Sequence, residues 1–176
     1  RAAAGLVQDG FTIALDGSTT TYAMLAALKQ PERLEKLIVV TNSLMIAHSL
    51  LDSPHIQVWM PGGWLRRDST TLVGRPETLP DINVNLGFFG ARGVTLATGF
   101  TESDGDEATT KRALLTRCAR AVLLIGPEKW GKIAPYTFAG PEEVEAVLTT
   151  EAAPPPLVAQ FRALGVAVET LRIPAG

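Results

Sequence analysis

Residues 11–22 read FTIALDGSTTTY, the stretch of the chain densest in groups able to hold a ligand. An apolar run over 11–15 stops at Asp16. Gly17 follows, then four consecutive hydroxyl residues (Ser18, Thr19, Thr20 and Thr21) and an apolar helical pattern. A strand, a glycine turn and a helix start make a compact anion site, because the first N–H groups of a helix lack internal partners and its dipole favours negative charge there. Hydroxyls at Ser18, Thr19 and Thr20 add hydrogen bonds to phosphate oxygens, and Gly17 permits a sharp turn and close backbone approach. Ser18 or Thr19 as a simple N-cap is the plainer alternative. One cap needs one hydroxyl, however, and four in succession point to phosphate or a similar anion.

A second constellation is TESDGDEATTK, residues 101–111. Asp104, Glu107 and Lys111 span a helix start, with Glu107 and Lys111 four apart on one face. By spacing alone they read as a surface ion pair worth about 0.2–0.5 kcal/mol. The functional alternative has Glu107 accepting sugar hydroxyls and Lys111 meeting a charged ligand group. Arg66 and Lys129 fall near strand ends, where they either complete an anion pocket or stay solvated. Gly62 and Gly63 mark a close backbone approach or a plain turn. His48 and His55 have no metal-ligand spacing with each other or with Cys118, so no metal site is expected. Neither GxGxxG after the first strand nor GxxxxGK[ST] occurs, so no nucleotide cofactor is expected. Trp59, Trp64 and Trp130 form a pocket wall or, more simply, pack in the core.

Such groups converge only if strand ends converge. Residues 37–41 (LIVVT) form a continuous apolar run, as in a strand buried on both faces of a parallel sheet, and Asn42 and Ser43 then open a helix over 44–51. This repeats the first unit, with its helix over 22–29 ending before Pro31. Two such units in succession predict a parallel α/β sheet with ligands outside the strands' carboxyl ends. Further strands are expected at 56–60, 86–89, 121–125, 144–149 and 166–173, and helices after residue 74, over 106–117 and over 157–164. Residues 94–105 and 126–132 read as loops. In the 106–117 helix Ala108, Leu114, Leu115 and Cys118 share a face. The alternation predicts a doubly wound, three-layer α/β fold, a mostly parallel sheet with helices on both faces.

The chain has 176 residues, 46% hydrophobic and 19% charged, which suits one globular domain. A formal charge of −2 leaves no basic footprint for nucleic acid. The single cysteine, Cys118, excludes an internal disulfide and reads as a small buried hydrophobe. No apolar run reaches the roughly 18–20 residues of a membrane span, and no signal peptide leads the chain, so a cytoplasmic setting is expected. Residues 1–8 read as the end of a helix already under way, which suggests a fragment with something N-terminal removed.

LDGSTT (15–20), VVTNSLMIA (39–47), PGGWLRRDSTTLVG (61–74), FFGARGV (88–94), GFTESDGDEATTKRALL (99–115) and EKWGK (128–132) occur in that order. Together they resemble the C-terminal effector-binding domain of DeoR-type bacterial transcriptional regulators, over nearly the whole chain. The resemblance implies a fold related to ribose 5-phosphate isomerase without its catalysis, and a phosphorylated sugar or related metabolite as effector. It implies operator DNA contact only through an N-terminal winged helix-turn-helix domain, no membrane contact, and a homodimer or homotetramer. Carried over by position, Asp16, Gly17, Ser18, Thr19 and Thr20 form the phosphate loop. Asn42, Ser43, Gly62, Gly63 and Arg66 line the pocket, and Glu107, Lys111 and Lys129 face the sugar or its phosphate. For Glu107 and Lys111 the resemblance thus implies ligand contact where spacing alone implies a surface ion pair. Two departures stand out: Arg92 where the family often has a small polar residue, and Gly126-Pro127-Glu128-Lys129 where it often has Asp-x-Ser-Lys. Arg92 adds positive charge near the pocket and suggests an unfamiliar or more acidic effector. The competing reading is a sugar-phosphate isomerase, which needs a proton-shuttling carboxylate. Its relatives place acids after the fourth strand, where this chain has Gly90-Ala91-Arg92-Gly93. A pure oligomerisation domain, binding no small molecule, is the third.

Overall fold

The structure, a computed structural model, describes residues 2–30, 32, 34–79 and 81–172. In chain order the elements are α1 (Ala2–Gly5), β1 (Thr12–Leu15), α2 (Thr19–Tyr22), α3 (Leu25–Leu28), β2 (Leu37–Thr41), α4 (Leu44–Ser49), β3 (Ile56–Trp59), β4 (Trp64–Arg66), β5 (Thr71–Val73), β6 (Leu86–Phe89), β7 (Gly93–Thr95), β8 (Gly99–Glu102), α5 (Gly105–Leu115), β9 (Ala121–Leu124), β10 (Tyr136–Ala139), β11 (Ala146–Thr150), α6 (Pro155–Ala163) and β12 (Ala167–Leu171). The ends at Arg1 and Ile173, and Pro31 before which the 22–29 helix is expected to stop, lie outside the described residues.

Seven strands form one parallel sheet in the order β12-β11-β9-β6-β1-β2-β3. The order in which strands are added reverses at β1, which pairs with β2 on one side and β6 on the other. Register sets Leu15 beside Thr41 and Phe88, so the chain leaves these three strands at one edge of the sheet. The three-layer prediction holds for a simple reason. Successive side chains of a strand point to opposite faces, and both faces here are apolar. Ile13, Leu15, Phe88, Val122 and Leu124 pack with α1, α3 and α4, whereas Ala14, Phe89, Leu123 and Val147 pack with α5, α6 and the residues Val94, Phe100 and Phe138. No described helix is long and apolar enough to cross a membrane.

Several local expectations are corrected. Residues 94–105 are not loop: β7 and β8 lie there and form a small sheet with β10. Alternation is missing because Thr101 and Glu102 are buried along with Phe100, Glu102 serving a charge network rather than water. No α-helix follows residue 74, only a 3-10 turn at Pro76–Thr78, and the preceding residues Thr71–Val73 pair antiparallel with Trp64–Arg66 in a hairpin. The helix expected over 22–29 is two short ones, α2 and α3. The loop 126–132 contains a 3-10 turn at Pro127–Lys129. Trp130 is core, edge-on to Phe161 at 5.3 Å, but Trp59 and Trp64 are exposed and form neither core nor pocket wall. Cys118 Sγ donates to the Leu114 carbonyl, and burial pushes its pKa up to about 12, leaving an inert thiol.

Candidate functional site

The carboxyl ends of β1, β2, β6 and β9 surround a cavity of about 290 Å³, at the switch point where open α/β sheets hold ligands. After β1 the chain turns through Asp16-Gly17 into α2. Ser18 caps this helix, its hydroxyl accepting from Thr21 N–H at 3.3 Å. Thr21 points inward, its hydroxyl within 2.7 Å of the Asp16 carbonyl and 3.0 Å of Asp16 Oδ1. Capping and scaffolding thus occupy two of the four hydroxyl residues. Thr19 and Thr20 are exposed and line the cavity with Gly17 and Ser18.

Asp16 does not line it. It is fully buried, and it fixes the loop geometry instead: Oδ1 accepts from Ser18 N–H at 3.1 Å, and Oδ2 accepts from Gly90 N–H at 2.8 Å and lies 2.9 Å from Lys111 Nζ. Lys111 Nζ also donates to Glu102 Oε2 at 2.7 Å and the Gly90 carbonyl at 3.0 Å. All three ammonium protons therefore have protein acceptors. Lys111 borders the cavity but acts as the keystone of a buried ionic triad with Asp16 and Glu102. The predicted Glu107–Lys111 pair does not form among the described contacts, and neither residue is a free surface charge. Glu102, absent from the sequence candidates, gave no signal because it lies in a stretch read as loop. Its Oε1 sits 3.4 Å from Arg92 Nε, and Arg92 reaches the cavity with its side chain mostly exposed.

Burial alone would push the Glu102 carboxyl up, yet the Lys111 charge and hydrogen bond hold it below 4.5. Burial alone would lower Lys111, yet Asp16 and Glu102 raise it above 10.5. A depressed carboxylate contributes stability that is present above its unfolded pKa and lost as pH falls through the folded one. A raised amine contributes stability that is present below its unfolded pKa and lost as pH rises through the folded one. The pair is therefore expected to give a stability plateau between about pH 4.5 and 10.5 with losses on either side. Urea midpoints measured against pH check this, and Glu102→Gln should flatten the acid limb.

The opposite wall is the β4–β5 hairpin. Its turn contributes Asp68, Ser69 and Thr71 to the cavity. Thr70, between them, has φ 54°, an unusual conformation for a β-branched residue and one that strains the turn. The turn is held from two sides. Leu44 N–H donates to the Thr70 carbonyl at 3.1 Å, Leu72 N–H to the Asn42 carbonyl at 2.7 Å and Asn42 Nδ2 to the Leu72 carbonyl at 3.2 Å. Arg66 pairs with Asp68 at 2.9 Å and with Asp104, whose other oxygen caps α5, and its Nε lies 3.8 Å from Glu107 Oε1. The Asp68 hydrogen bond leads in raising Arg66, and the same bond leads in holding Asp68 below its usual range. Thr71 Oγ1 donates to Glu107 Oε1 at 3.2 Å.

Of the sequence candidates, Gly17, Ser18, Thr19, Thr20, Asn42, Glu107, Lys111 and Lys129 converge on the cavity. Asp16, Ser43, Gly62, Gly63 and Arg66 do not line it. Ser43 caps α4, accepting from Ile46 N–H. Gly62 and Gly63 sit at the hairpin base, where a side chain on Gly63 would overlap the Val73 carbonyl. Arg66 is engaged by carboxylates. The hairpin residues Asp68, Ser69 and Thr71 were missed because a strand of three residues carries little periodicity. Among the described residues no cluster is placed to hold a metal ion.

The sequence matches the family DeoR C terminal sensor domain over residues 1–151. It is 31% identical over 169 residues to the HTH-type transcriptional regulator GolR of Listeria innocua, covering 95% of this chain and 65% of GolR. It is 28% identical over 159 residues to the glycerol-3-phosphate regulon repressor of Escherichia coli, covering 89% and 61%. The HTH-type transcriptional repressor GlcR of Bacillus subtilis is 28% identical over 151 residues, covering 85% and 57%. The chain thus spans about three fifths of the length of these relatives. In fold it is similar to ribose 5-phosphate isomerase from Plasmodium falciparum, with TM-score 0.52 at 11% identity over 73% of this chain and 48% of the isomerase. It is also similar to eIF2B delta from Chaetomium thermophilum, with TM-score 0.56 at 20% identity over 84% and 52%.

Proposed function

The chain belongs to the DeoR C-terminal sensor domain family, and we propose that it senses a phosphorylated sugar or related metabolite in the switch-point cavity. The observation that carries this reading is the cavity's lining. Thr19 and Thr20 are exposed at its wall beside Ser18, with Lys129 and Arg92 on neighbouring strand ends. Hydroxyls and cations converging in one cleft suit an anionic group, and Asn42 and Glu107 suit the hydroxyls of a sugar. Operator contact, in this proposal, belongs to a helix-turn-helix segment outside residues 1–176, in a cytoplasmic repressor that assembles as a homodimer or homotetramer. Effector binding changes the DNA affinity of that segment. Three relatives bear the names of transcriptional regulators, two of them repressors.

The isomerase reading finds less support. No carboxylate follows β6 in the stretch Gly90-Ala91-Arg92-Gly93, and Glu107 is already bonded to Thr71 beside Arg66.

Thermal unfolding against sugar phosphates and their unphosphorylated sugars tests the proposal. A ligand at about 100 times its Kd stabilises by about 2.7 kcal/mol, a rise of several degrees for a chain this size. The shift is expected with a phosphorylated sugar, absent with the free sugar, and diminished in Thr19→Ala and Lys129→Ala. No shift with any phosphorylated compound would overturn it.

A further inference from the structure

The two walls of the cavity differ in charge and in unmet hydrogen-bonding capacity. On the hairpin side one guanidinium, Arg66, faces three carboxylates, Asp68, Asp104 and Glu107. Two of them, Asp68 and Glu107, line the cavity. Those carboxylates outnumber the guanidinium they contact, and the hairpin's other arginine, Arg67, is exposed and does not line the cavity. A second, independent observation lies beside it. Asn42 is only 4% exposed, and its amide nitrogen is fixed on the Leu72 carbonyl of the hairpin, yet its Oδ1 has no partner. A buried acceptor without a donor is costly. Because the amide is held by its nitrogen, the oxygen cannot be satisfied by a flip. Asn42, Glu107 and Asp68 come from three separate elements and all line one cavity.

The opposite wall supplies no matching excess of positive charge. Arg92, the cation that suggested a more acidic effector, leans on Glu102. The buried triad has two carboxylates against one ammonium, so Arg92 balances its remaining negative charge. Lys129 lies 3.5 Å from Glu128, which also lines the cavity, so an anion there is received by the hydroxyls of Ser18, Thr19 and Thr20 and by a lysine shared with that carboxylate.

We infer that the Asn42–Glu107–Asp68 wall reads hydrogen-bond donors on the effector, neighbouring hydroxyls or an ammonium group, and excludes a second anionic group. The inference rests on the phosphorylated-sugar reading and narrows it to an effector with one acidic end. A ligand lacking a donor there leaves Asn42 Oδ1 buried and unpaired. A ligand with a carboxylate there meets two carboxylates at close range.

The test is a calorimetric comparison of glucose 6-phosphate, glucosamine 6-phosphate and 6-phosphogluconate, which differ in hydroxyl, ammonium and carboxylate content. Glucose and inorganic phosphate complete the panel. The acid is expected to bind at least tenfold more weakly than the better of the other two. The two donor-bearing ligands then tell hydroxyl reading from ammonium reading. In Asp68→Asn and Glu107→Gln, which preserve shape, the discrimination against the acid should shrink at least threefold. Asn42→Ala should weaken the donor-bearing ligands more than inorganic phosphate. Equal or tighter binding of 6-phosphogluconate overturns this inference while leaving the phosphate reading intact. Binding by none of the phosphorylated compounds overturns both.

Discussion

Lys111→Met is expected to lower the unfolding free energy by about 3–5 kcal/mol, because removing one member of a buried ion network strands the others. Met matches the stem of Lys111 in length, so packing against Phe138 is largely kept; the ring centroid lies 5.2 Å from Nζ. What is lost is the charge between Asp16 and Glu102, 0% and 2% exposed. Asp16 would then be a buried carboxylate without a counterion and Glu102 would keep only the mostly exposed Arg92, and the loops after β1 and β6, tied together by Asp16 Oδ2 and Gly90 N–H, would separate. The midpoint of thermal unfolding should fall on the order of 10 °C. Neutralising the stranded acids in Lys111→Met/Asp16→Asn/Glu102→Gln should recover part of the loss. A single variant within about 1 kcal/mol of the parent would show that the triad is not the clasp described here.

Gly17→Ala should destabilise the chain by about 1–3 kcal/mol, the range for overpacking a filled site, and weaken effector binding more than tenfold. The reason is space rather than backbone freedom. Gly17 is not one of the positive-φ glycines, but a methyl built on it would overlap Thr71 Cγ2 on the hairpin. That methyl cannot swing away freely, since Thr71 Oγ1 is bonded to Glu107 and lies 2.8 Å from Ser69 Oγ. The prediction has an internal control. Thr71→Ser deletes Cγ2 and keeps the hydroxyl, and the next contacts of the added methyl, Ser43 Cβ and Thr71 Cβ, are at an ordinary 3.8 Å. Gly17→Ala/Thr71→Ser should therefore bind and unfold nearly as the parent does. Binding titrations and urea melts of the four proteins form a double-mutant cycle. A double variant as impaired as Gly17→Ala would show that the methyl clash is not the cause.

Much of the main sheet was legible because strands buried on both faces write themselves as unbroken apolar runs, as at 37–41 and 121–125. The same rule located the ends of β1, β2 and β9, and with them Ser18, Thr19, Thr20, Asn42 and Lys129. The antiparallel additions were not legible. β4 and β5 are three residues each, too short for a period of two to register. β7 and β8 were hidden by threonines and glycines, and by a glutamate buried for its charge partners. Roles proved harder than places. The sequence offered Asp16 and Lys111 as ligand contacts, and spacing paired Lys111 with Glu107. Only the three-dimensional approach of β1, β8 and α5 shows Lys111 clasped between Asp16 and Glu102 instead. Arg66 likewise reads as an anion ligand until its three carboxylates are seen. Gly17 does lie in the bend between β1 and α2, as its reading as a turn former has it, but the second reason for a glycine there, the Thr71 methyl against it, shows only in three dimensions.

The two walls of the cavity are fastened by different means. The Asp16 loop is locked by an ionic triad shut away from water, where mobile ions screen weakly. The hairpin is tied to the start of α5 by Arg66 and Asp104, side chains 25% and 28% exposed, within reach of counterions whose screening length is about 8 Å at physiological ionic strength, and to Asn42 and Leu44 by backbone hydrogen bonds. Rising salt is therefore expected to weaken the Arg66–Asp104 link of the wall that carries Asp68, Ser69 and Thr71 more than the triad behind Gly17–Thr20, while the hairpin keeps its backbone hydrogen bonds to Asn42 and Leu44.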